Sequence, residues 1–422
     1  MRVAAEAEKE VGIMTYATPG EPCGAHAKSE PGDFVVEEQI SLVGLVDSER
    51  PDYYPLYRVE KHHIDTLHMA EELADALRSR VSFGGMKDKR ADAVQYATPT
   101  SLRALRPQAV ERERFTAKLA GYLPAPLTRG STVGNRFEIT LRGCCADMGH
   151  RIEDALQLAE AKKVPNFYGL QRFGASGAGT HRIGRALVTG EFEQATRLIL
   201  LEPRDRDDDS VRAAREAMSR GDYGEGGRLL PPGRDVEKLV ARELDRHPQN
   251  WVRALRAVPI RVRRLYVQAY QSAMFNRTLS VALERGEDIS TLQAGDNSAE
   301  VSVDGLVTGR VMGVNDPHAQ GAVPMVQVVG YAFRDYGSRF DRCARAVLEE
   351  EGVSPAQFYL QEMQEVSSEG GFRRPHLAVR DASWEDEGDT AKLGFTLGRG
   401  QYATVLLREI IKAPDPEASG LS

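Results

Sequence analysis

The chain contains little cysteine. Its 422 residues include four cysteines: Cys23, Cys144, Cys145 and Cys343. No two of them form a Cys-x-x-Cys pair, and the adjacent Cys144 and Cys145 have no His or Cys at metal-ligand spacing. The cysteine pattern therefore predicts neither a disulfide framework nor a structural zinc site.

Long apolar runs are also missing. No window approaches the roughly 18 uninterrupted apolar residues that a membrane span requires. The first residues, MRVAAEAEKEVG, carry acids where a secretory signal would have a basic start and an apolar core. We therefore expect a cytoplasmic protein without a membrane partner.

The chain has no excess of positive charge. It has 55 Lys and Arg against 62 Asp and Glu, which gives a formal net charge of -7. Such a balance argues against a protein that coats nucleic acid indiscriminately. It is compatible with a local basic cleft, because binding depends on where the cations lie.

Cofactor and hydrolase motifs are absent as well. The glycine-containing run GLQRFG at 169–174 matches neither the Walker pattern nor G-x-G-x-x-G. The nine histidines form no H-E-x-x-H motif and accompany no nucleophile elbow. We therefore expect no nucleotide cofactor, no metal and no catalytic triad. With Gln171 and Arg172 beside Phe173, the run at 169–174 suits either contact with an RNA backbone or an ordinary surface loop.

The coarse pattern of elements indicates an α+β protein rather than a regular βαβ repeat. The β-prone residues after the Pro31-Gly32 turn predict a strand at Phe34–Glu38. Alternation of apolar and polar residues predicts a strand around Phe137, and Val81–Phe83 reads as a further short strand. A helix is expected over Thr66–Arg80, with Asp65 as its N-cap. After Pro165 strands are hard to find.

The second half of the chain shows helices and linkers. Helices are expected near Leu265–Leu283 and Phe340–Glu351, and Gln401–Leu407 reads as a closing β-like run. The acidic run Asp205–Asp209 and the Gly- and Pro-rich run Asp222–Arg234 are predicted linkers.

The stretch Gly85–Arg90 is the most informative part of the chain. It places the carboxylate of Asp88 among three cations, where a short strand passes into a loop. A lone Asp in such company stays ionised and is poised to act as a nucleophile. The alternative interpretation is a solvated turn without chemistry.

A second cationic region precedes a predicted helix. Arg261, Arg263 and Arg264 lead into a segment with Tyr266, Tyr270, Gln271, Ser272 and Asn276. This face suits contacts to phosphate and sugar, and a packed helix with ordinary surface arginines explains it almost as well. The compact basic turn at 371–375 (GFRRP) has the same two interpretations.

Five short blocks follow one another along the chain: GMKDKRA at 85–91 with Gln95, GNRF at 134–137, VPNFYGLQRFG at 164–174, YQS at 270–272 with Phe275 and Asn276, and QYAT at 401–404 with LRE at 407–409. In this order they resemble the TruD family of tRNA pseudouridine synthases. The run TGRVMG at 308–313 and the chain length resemble the archaeal branch of that family.

The resemblance implies isomerisation of uridine to pseudouridine in tRNA, with position 13 as the usual target and no cofactor. Asp88 corresponds to the catalytic aspartate, and Tyr402 to the aromatic residue that stacks on the uracil. Lys28 matches a family lysine near the active site, and together with Lys87 or Lys89 it is expected to keep Asp88 ionised by opposite charge. Asn135 and Phe137 match a polar and aromatic pair that lines the pocket.

Three further residues complete the candidate substrate-binding set. Gln171 and Arg172 lie in the glycine-containing run, and Arg408 is a partner for either the aspartate or a phosphate. Which atom Asp88 attacks is left open by the sequence.

The fold implied by the resemblance has two parts. Residues 1–165 together with 380–422 form a pseudouridine synthase domain, with a mixed, largely antiparallel sheet flanked by helices. Residues 166–379 form an inserted α/β TRUD domain, and tRNA lies in the cleft between the two. A monomer is the expected state, although the sequence does not determine it. The alternative function is a non-catalytic tRNA-binding or refolding module.

Overall fold

The structure is a computed structural model that describes residues 3–85, 87, 92–174, 179–203, 207–302, 307–314 and 321–422. The first part of the described chain alternates strands and helices: α1 (Glu6–Lys9), β1 (Phe34–Ile40), β2 (Tyr54–Lys61), α2 (Thr66–Leu77), β3 (Val81–Phe83), β4 (Asp92–Pro99), β5 (Ala109–Arg112), β6 (Phe115–Leu123), β7 (Thr132–Arg142) and α3 (Met148–Glu160).

The middle part begins with helices: α4 (Gly179–Val188), α5 (Phe192–Leu201), α6 (Asp209–Ser219), α7 (Tyr223–Leu229), α8 (Asp235–Arg246), α9 (Trp251–Ala257) and α10 (Ile260–Glu284). Strands then return around one helix: β8 (Asn297–Val301), β9 (Val307–Gly313), β10 (Ala322–Val328), α11 (Arg339–Glu351) and β11 (Gly371–Arg373). The chain closes with β12 (Val379–Asp386), β13 (Thr390–Gly398) and α12 (Ala403–Ile411). Short 3-10 helices cover Arg129–Ser131, Leu170–Phe173, Pro355–Phe358 and Gln361–Val366.

Strands from both ends of the chain build the larger sheet. Its order is β12-β13-β7-β1-β4-β2-β6-β5, with β3 paired to β4, and only β1 and β4 run parallel among the described pairs. A smaller sheet has the order β11-β10-β8-β9. The predicted α+β class with a mixed, largely antiparallel sheet is therefore confirmed.

One face of the larger sheet carries two separate apolar cores. Phe137 on β7 lies opposite Phe395 on β13, and both belong to a core that includes residues of α3 and α12. Tyr57 on β2 belongs to a second core, which packs against Met69 and Leu73 of α2. Polar side chains from β1, β4 and β7 occupy the same face between these cores, because side chains alternate along each strand.

The capping chemistry of α2 follows the sequence prediction. Asp65 accepts hydrogen bonds from Leu67 N (2.9 Å) and His68 N (3.1 Å), so the helix begins at Thr66 as expected. It ends at Leu77, three residues earlier than predicted, because Arg78 adopts the left-handed conformation (φ 51°). Thr66, the first residue of this helix, accepts a hydrogen bond from Lys87 N.

Two element predictions were wrong. The predicted β-like run Gln401–Leu407 instead contains the start of α12 at Ala403, and the residues of this helix are buried all round. A short apolar run has no periodicity that distinguishes a buried strand from a buried helix. The predicted linker Asp222–Arg234 contains α7, where Asp222 accepts a hydrogen bond from Glu225 N (2.9 Å) and starts the helix.

The cysteine prediction also needs correction. Cys23 and Cys145 form a disulfide, with Cα atoms 5.8 Å apart and 122 residues apart in sequence. Cys spacing along the chain does not report such a pair, because tertiary packing alone brings the N-terminal segment to the start of α3. No helix in the described ranges is long and apolar enough to cross a membrane.

Candidate active site

The predicted nucleophile motif lies directly after β3. Asp88, together with Met86 and residues 89–91, lies outside the described residues, whereas Gly85 and Lys87 are described. Lys87 is therefore the described residue nearest to Asp88 in the chain.

Lys87 is held at both its backbone and its side chain. Its amide N donates to Thr66 Oγ1 (2.9 Å) at the start of α2, and its Nζ donates to Asn135 Oδ1 (2.5 Å) on β7. Nζ also lies 3.6 Å from Glu38 Oε1, and only 8% of the Lys87 side chain is exposed. Burial lowers the pKa of Lys87, and the charge of Glu38 partly offsets that effect.

Glu38 is the buried carboxylate of this group. Its side chain is fully buried on β1, where Oε2 accepts from Tyr96 N (3.1 Å) and Oε1 accepts from Thr132 Oγ1 (3.0 Å). A Cβ at Gly84 would lie 2.8 Å from Glu38 Oε1, so only glycine lets the chain leave β3 so close to the carboxylate.

Gln95 completes the strip of polar side chains between the two cores. Its Oε1 accepts from Thr66 Oγ1 (3.1 Å), and its side chain is fully buried. Within the described residues, its Nε2 has no hydrogen-bond partner. We call Glu38, Lys87, Gln95 and Asn135 the polar strip. It is a set of buried or half-buried hydrogen-bonding groups, and one of them, Lys87, directly precedes Asp88 in the chain.

Tyr402 belongs to a second group, which is aromatic and cationic. Its ring centroid lies 6.2 Å from that of Tyr168 and 5.8 Å from the guanidinium carbon of Arg373. Arg373 also lies over the Tyr168 ring at 4.1 Å. Burial raises the pKa of the Tyr402 hydroxyl, and the charges of Arg373 and Arg172 oppose that rise.

Backbone contacts hold the aromatic and cationic group in place. Arg373 donates from one terminal nitrogen to Gly400 O (2.7 Å), two residues before Tyr402, and from Nε to Asn166 O (3.1 Å). Asn276 on α10 accepts from Tyr168 N (2.7 Å) and donates to Tyr168 O (3.0 Å). Each end of this group is therefore anchored by a side chain from a different element.

The register of the sheet brings both groups to the same end. Asn135 on β7 lies opposite Leu397 on β13, Gly134 lies opposite Gly398, and Arg399 N donates to Val133 O (3.1 Å). The polar strip therefore begins where β13 ends, and Tyr402 follows four residues after that end. Asn135, which contacts Lys87, and Tyr402 therefore both lie toward the C-terminal end of β13, although they are distant in sequence.

Phe137 and Lys28 lie in a neighbouring aromatic cluster. Phe137 is 6% exposed, with ring centroids 5.5 Å from Phe395 and 6.0 Å from Phe34. The Nζ of Lys28 lies 5.0 Å from the Phe34 ring and donates to Ser422 O (3.1 Å). Phe137 thus supports the sheet beneath Asn135, two residues away on the same face.

Gln171 and Arg172 link the 3-10 helix at Leu170–Phe173 to its neighbours. Gln171 Oε1 accepts from Thr404 Oγ1 (2.9 Å) at the start of α12. Arg172 donates to Ser272 Oγ (3.3 Å) and to Gln268 Oε1 (3.0 Å) on α10. Gln171 is exposed and Arg172 is half-buried. Arg172 lies near enough to Tyr402 for its charge to affect the pKa of that hydroxyl.

Arg408 lies in a different environment from the other predicted residues. It is 3% exposed, pairs with Glu8 (2.6 Å) and Glu409, and lies 4.2 Å over the ring of Tyr16. Its contacts join the N-terminal segment to α12. Such an arrangement favours a structural role over contact with a phosphate.

Most of the predicted phosphate-binding face of α10 is inside the protein, and of its arginines only Arg261 and Arg264 are exposed. Tyr270 donates to Glu351 (3.0 Å), Gln271 donates to Val329 O (2.6 Å), and both residues are buried. Arg263 pairs with Glu365 and donates to Val258 O (2.9 Å). The structure therefore supports the packed-helix interpretation of this segment.

Sequence reasoning missed Glu38, Tyr168 and the role of Arg373. Glu38 did leave a signal, because it occupies a position of β1 that alternates with the outward-facing residues and shares a face with Val36 and Ile40. A carboxylate on the inward face of a strand calls for a buried partner. Arg373 left no comparable signal, since its partners lie far away in sequence. In the described ranges no group of three or more His, Cys, Asp and Glu could hold a metal ion.

Comparison with known proteins finds one family throughout. The family model described as tRNA pseudouridine synthase D (TruD) matches residues 10–410. A probable tRNA pseudouridine synthase D of Pyrobaculum neutrophilum is 32% identical over 98% of both chains, and one of Methanopyrus kandleri is 34% identical over 85% of both. The tRNA pseudouridine synthase D of Geobacter metallireducens is 32% identical over 96% of this chain and 100% of its own.

A solved structure gives the same result at the level of the fold. The crystal structure assigned to tRNA pseudouridine synthase D (TruD) of Methanosarcina mazei is similar, with a TM-score of 0.79 and 27% identity. The match covers 97% of this chain and 99% of that one. The similarity therefore includes both the larger sheet and the helical middle part.

Proposed function

The chain belongs to the TruD family of tRNA pseudouridine synthases, and on that premise we propose that it converts uridine at position 13 of tRNA into pseudouridine with Asp88 as nucleophile. The family places it among the isomerases that act on tRNA. The target position, the nucleophile and the supporting residues are the finer parts of the proposal.

One observation carries the assignment of residues. Lys87 immediately precedes Asp88, and its side chain is fixed between Glu38 and Asn135 while its backbone is fixed by Thr66. The chain therefore enters the segment that contains Asp88 from an anchored residue. An adjacent cation also favours the ionised form of an aspartate, which is the form that a nucleophile needs.

The reaction needs no external group. The N-glycosidic bond of the uridine breaks, the uracil turns, and its C5 forms a bond to the ribose carbon that N1 has left; C5 then loses a proton and N1 gains one, so the product is an isomer of the substrate. The uridine must leave its stack to reach a pocket, because a side chain cannot reach the sugar or the ring inside folded RNA. In this proposal Tyr402 stacks on the uracil and Asn135 hydrogen-bonds its edge.

The remaining predicted residues have supporting places in this scheme. Phe137 supports the floor of the pocket, and Lys28 adds positive charge beside the Phe34 ring. Gln171 and Arg172 offer contacts to the tRNA from the middle part of the chain. Arg408 has no direct role, because it is paired with Glu8 and Glu409.

The division into two domains also belongs to the proposal. Residues 1–165 with 380–422 contribute the strands of the larger sheet, and residues 166–379 contribute the helical part and the smaller sheet. We place the tRNA between these parts, where Arg373 and Tyr402 meet. A monomer in the cytoplasm remains the expectation from the sequence.

The test uses unmodified tRNA transcripts without added metal or nucleotide, and maps pseudouridine at single-residue resolution. We expect wild type to convert uridine 13 and Asp88→Asn to convert none while its affinity for tRNA persists. Asp92→Asn is the matched control, because Asp92 lies on the same segment but pairs with His62 (2.8 Å). Binding without conversion by wild type would favour the non-catalytic tRNA-binding module.

A further inference from the structure

The orientation of the Asn135 side-chain amide is determined by its partner. A lysine ammonium has three donors and no acceptor, so the atom of Asn135 that faces Lys87 Nζ at 2.5 Å must be the amide oxygen. The assignment of oxygen and nitrogen in an amide usually depends on the surrounding network, and here the lysine settles it. The Asn135 Nδ2 group, with its two N–H donors, therefore points away from Lys87.

Within the described part of the chain, no acceptor is paired with Asn135 Nδ2. Asn135 is half-buried at the edge of the sheet where β13 ends and where Tyr402 follows. Two N–H donors are thus left for a group that is absent from the protein itself. Their natural partner is an oxygen acceptor.

Glu38 determines where Lys87 points. It lies 3.6 Å from Lys87 Nζ, and its own position is set by Tyr96 N and Thr132 Oγ1. A long lysine side chain has many rotamers in solution, and a fixed carboxylate restricts it to a few. The hydrogen bond from Lys87 to Asn135 follows from that restriction.

We propose that Glu38 is a positioning residue, which acts through Lys87 to hold the Asn135 amide with its N–H donors toward a carbonyl oxygen of the bound uracil. This inference rests on the proposed function, because it needs a uracil beside Asn135. It assigns Asn135 the part of a donor, and it makes Glu38 and Lys87 responsible for that choice.

Packing alone would not require this carboxylate. A buried ion pair is costly to desolvate, and apolar residues of similar volume often stabilise a core as well or better. The polar strip nevertheless interrupts the apolar face between the two cores. A role in directing Asn135 gives that interruption a function.

The test measures kcat/KM on tRNA that carries uridine, 2-thiouridine or 4-thiouridine at the target position. Sulfur is a weaker hydrogen-bond acceptor than oxygen, so one of the two replacements is expected to lower the wild-type value by about three- to ten-fold. Asn135→Asp keeps an acceptor for Lys87 but removes the donors. It is expected to lower kcat/KM for uridine by about ten-fold or more and to lose the sensitivity to that same thio replacement.

Glu38→Gln is expected to reduce kcat/KM and to flatten the same thio sensitivity, because Lys87 no longer holds the amide in one orientation. Glu37→Gln is the matched control on the same strand, since Glu37 lies on the other face and pairs with Arg58 (3.5 Å). It should leave the sensitivity intact. If Glu38→Gln does not fold, Thr132→Val replaces it, because it removes one hydrogen bond to Glu38, and it too should weaken the sensitivity.

Two outcomes would overturn the inference. Equal responses of wild type, Asn135→Asp and Glu38→Gln to both thio replacements would show that Asn135 donates to neither carbonyl. A lower melting temperature of Glu38→Gln or Thr132→Val with unchanged thio sensitivity would show that Glu38 is only structural. Failure of the proposed function has a different signature, because wild type would then convert no uridine at all.

Discussion

Two buried charge clusters lie beside predicted site residues, and they differ in what they leave available. In the polar strip, Lys87 and Glu38 are buried, but Asn135 is half-buried and keeps unused donors. In the cluster around Arg408, two carboxylates and a tyrosine ring surround the guanidinium, and all of them are buried. We call the first cluster open, because Asn135 keeps donors that a ligand can reach, and the second closed, because its charged groups are paired with one another.

The difference shows that buried charge alone does not mark a substrate site. The closed cluster joins Glu8 of the N-terminal segment to α12, and Lys412 extends it by donating to Thr18 Oγ1 (2.6 Å). Its charged groups hydrogen-bond one another, so it stabilises the contact between two segments about 400 residues apart in sequence. The polar strip includes Lys87, the residue before Asp88 in the chain, and its Asn135 has donors left for a ligand.

The strongest change in stability is expected in the closed cluster. Arg408→Met leaves Glu8 and Glu409 buried without their cation, and we expect the free energy of unfolding to fall by about 3–5 kcal/mol. Urea unfolding followed by circular dichroism measures this loss. The fraction that stays folded should keep its tRNA affinity and its kcat/KM for uridine.

Lys87→Met is the counterpart in the open cluster. It should reduce kcat/KM by far more than its effect on folding explains, because it removes the group that orients Asn135 and stands beside Asp88. Normal kcat/KM for folded Lys87→Met, or a lost kcat/KM for folded Arg408→Met, would break the distinction between the two clusters.

A third buried group, His376, makes the free energy of unfolding depend on pH. His376 is fully buried, lies 3.4 Å from an Arg374 terminal nitrogen, and has its Nδ1 3.0 Å from Ile289 O. Burial, helped by the charge of Arg374, lowers the pKa of His376 from 6.5 to about 4. The unfolded chain therefore takes up this proton first as the pH falls.

The contribution of His376 is fully present above pH 6.5 and is lost between about pH 6.5 and 4, by about 3 kcal/mol in all. His376→Asn removes the titrating group and keeps an N–H donor for Ile289 O. Its free energy of unfolding should fall less steeply with acid than that of wild type. Parallel pH curves for the two proteins would contradict this expectation.

The smallest expected effect refines the open site. Tyr402→Ala should lower kcat/KM for tRNA by a factor that corresponds to about 1–3 kcal/mol, which is the usual value of stacking one base on an aromatic ring. Tyr402→Phe keeps the ring and should stay near wild type. Single-turnover kinetics on the tRNA substrate measure both variants, and equal losses in the two would assign the effect to the hydroxyl instead.

Local features of the fold were accessible from the sequence. Asp65 signalled the start of α2, alternation around Phe137 signalled β7, and the block that contains Lys87 and Asp88 signalled the candidate site. These signals are local, because capping and alternation depend on neighbours within a few residues. The strand prediction for Gln401–Leu407 was wrong because the helix there is buried on all sides by distant segments, which leaves no periodicity in the local sequence.

The family, the α+β class and the short blocks that carry the expected chemistry can be read from the sequence, because each of them depends on contiguous residues. Four pairings form only in the folded chain: Glu38 with Lys87, Arg373 with Gly400 before Tyr402, Cys23 with Cys145, and Arg408 with Glu8. Those pairings join residues that are distant in the chain. The register of the larger sheet and the packing of α12 set the distances between them, and no local pattern encodes those distances.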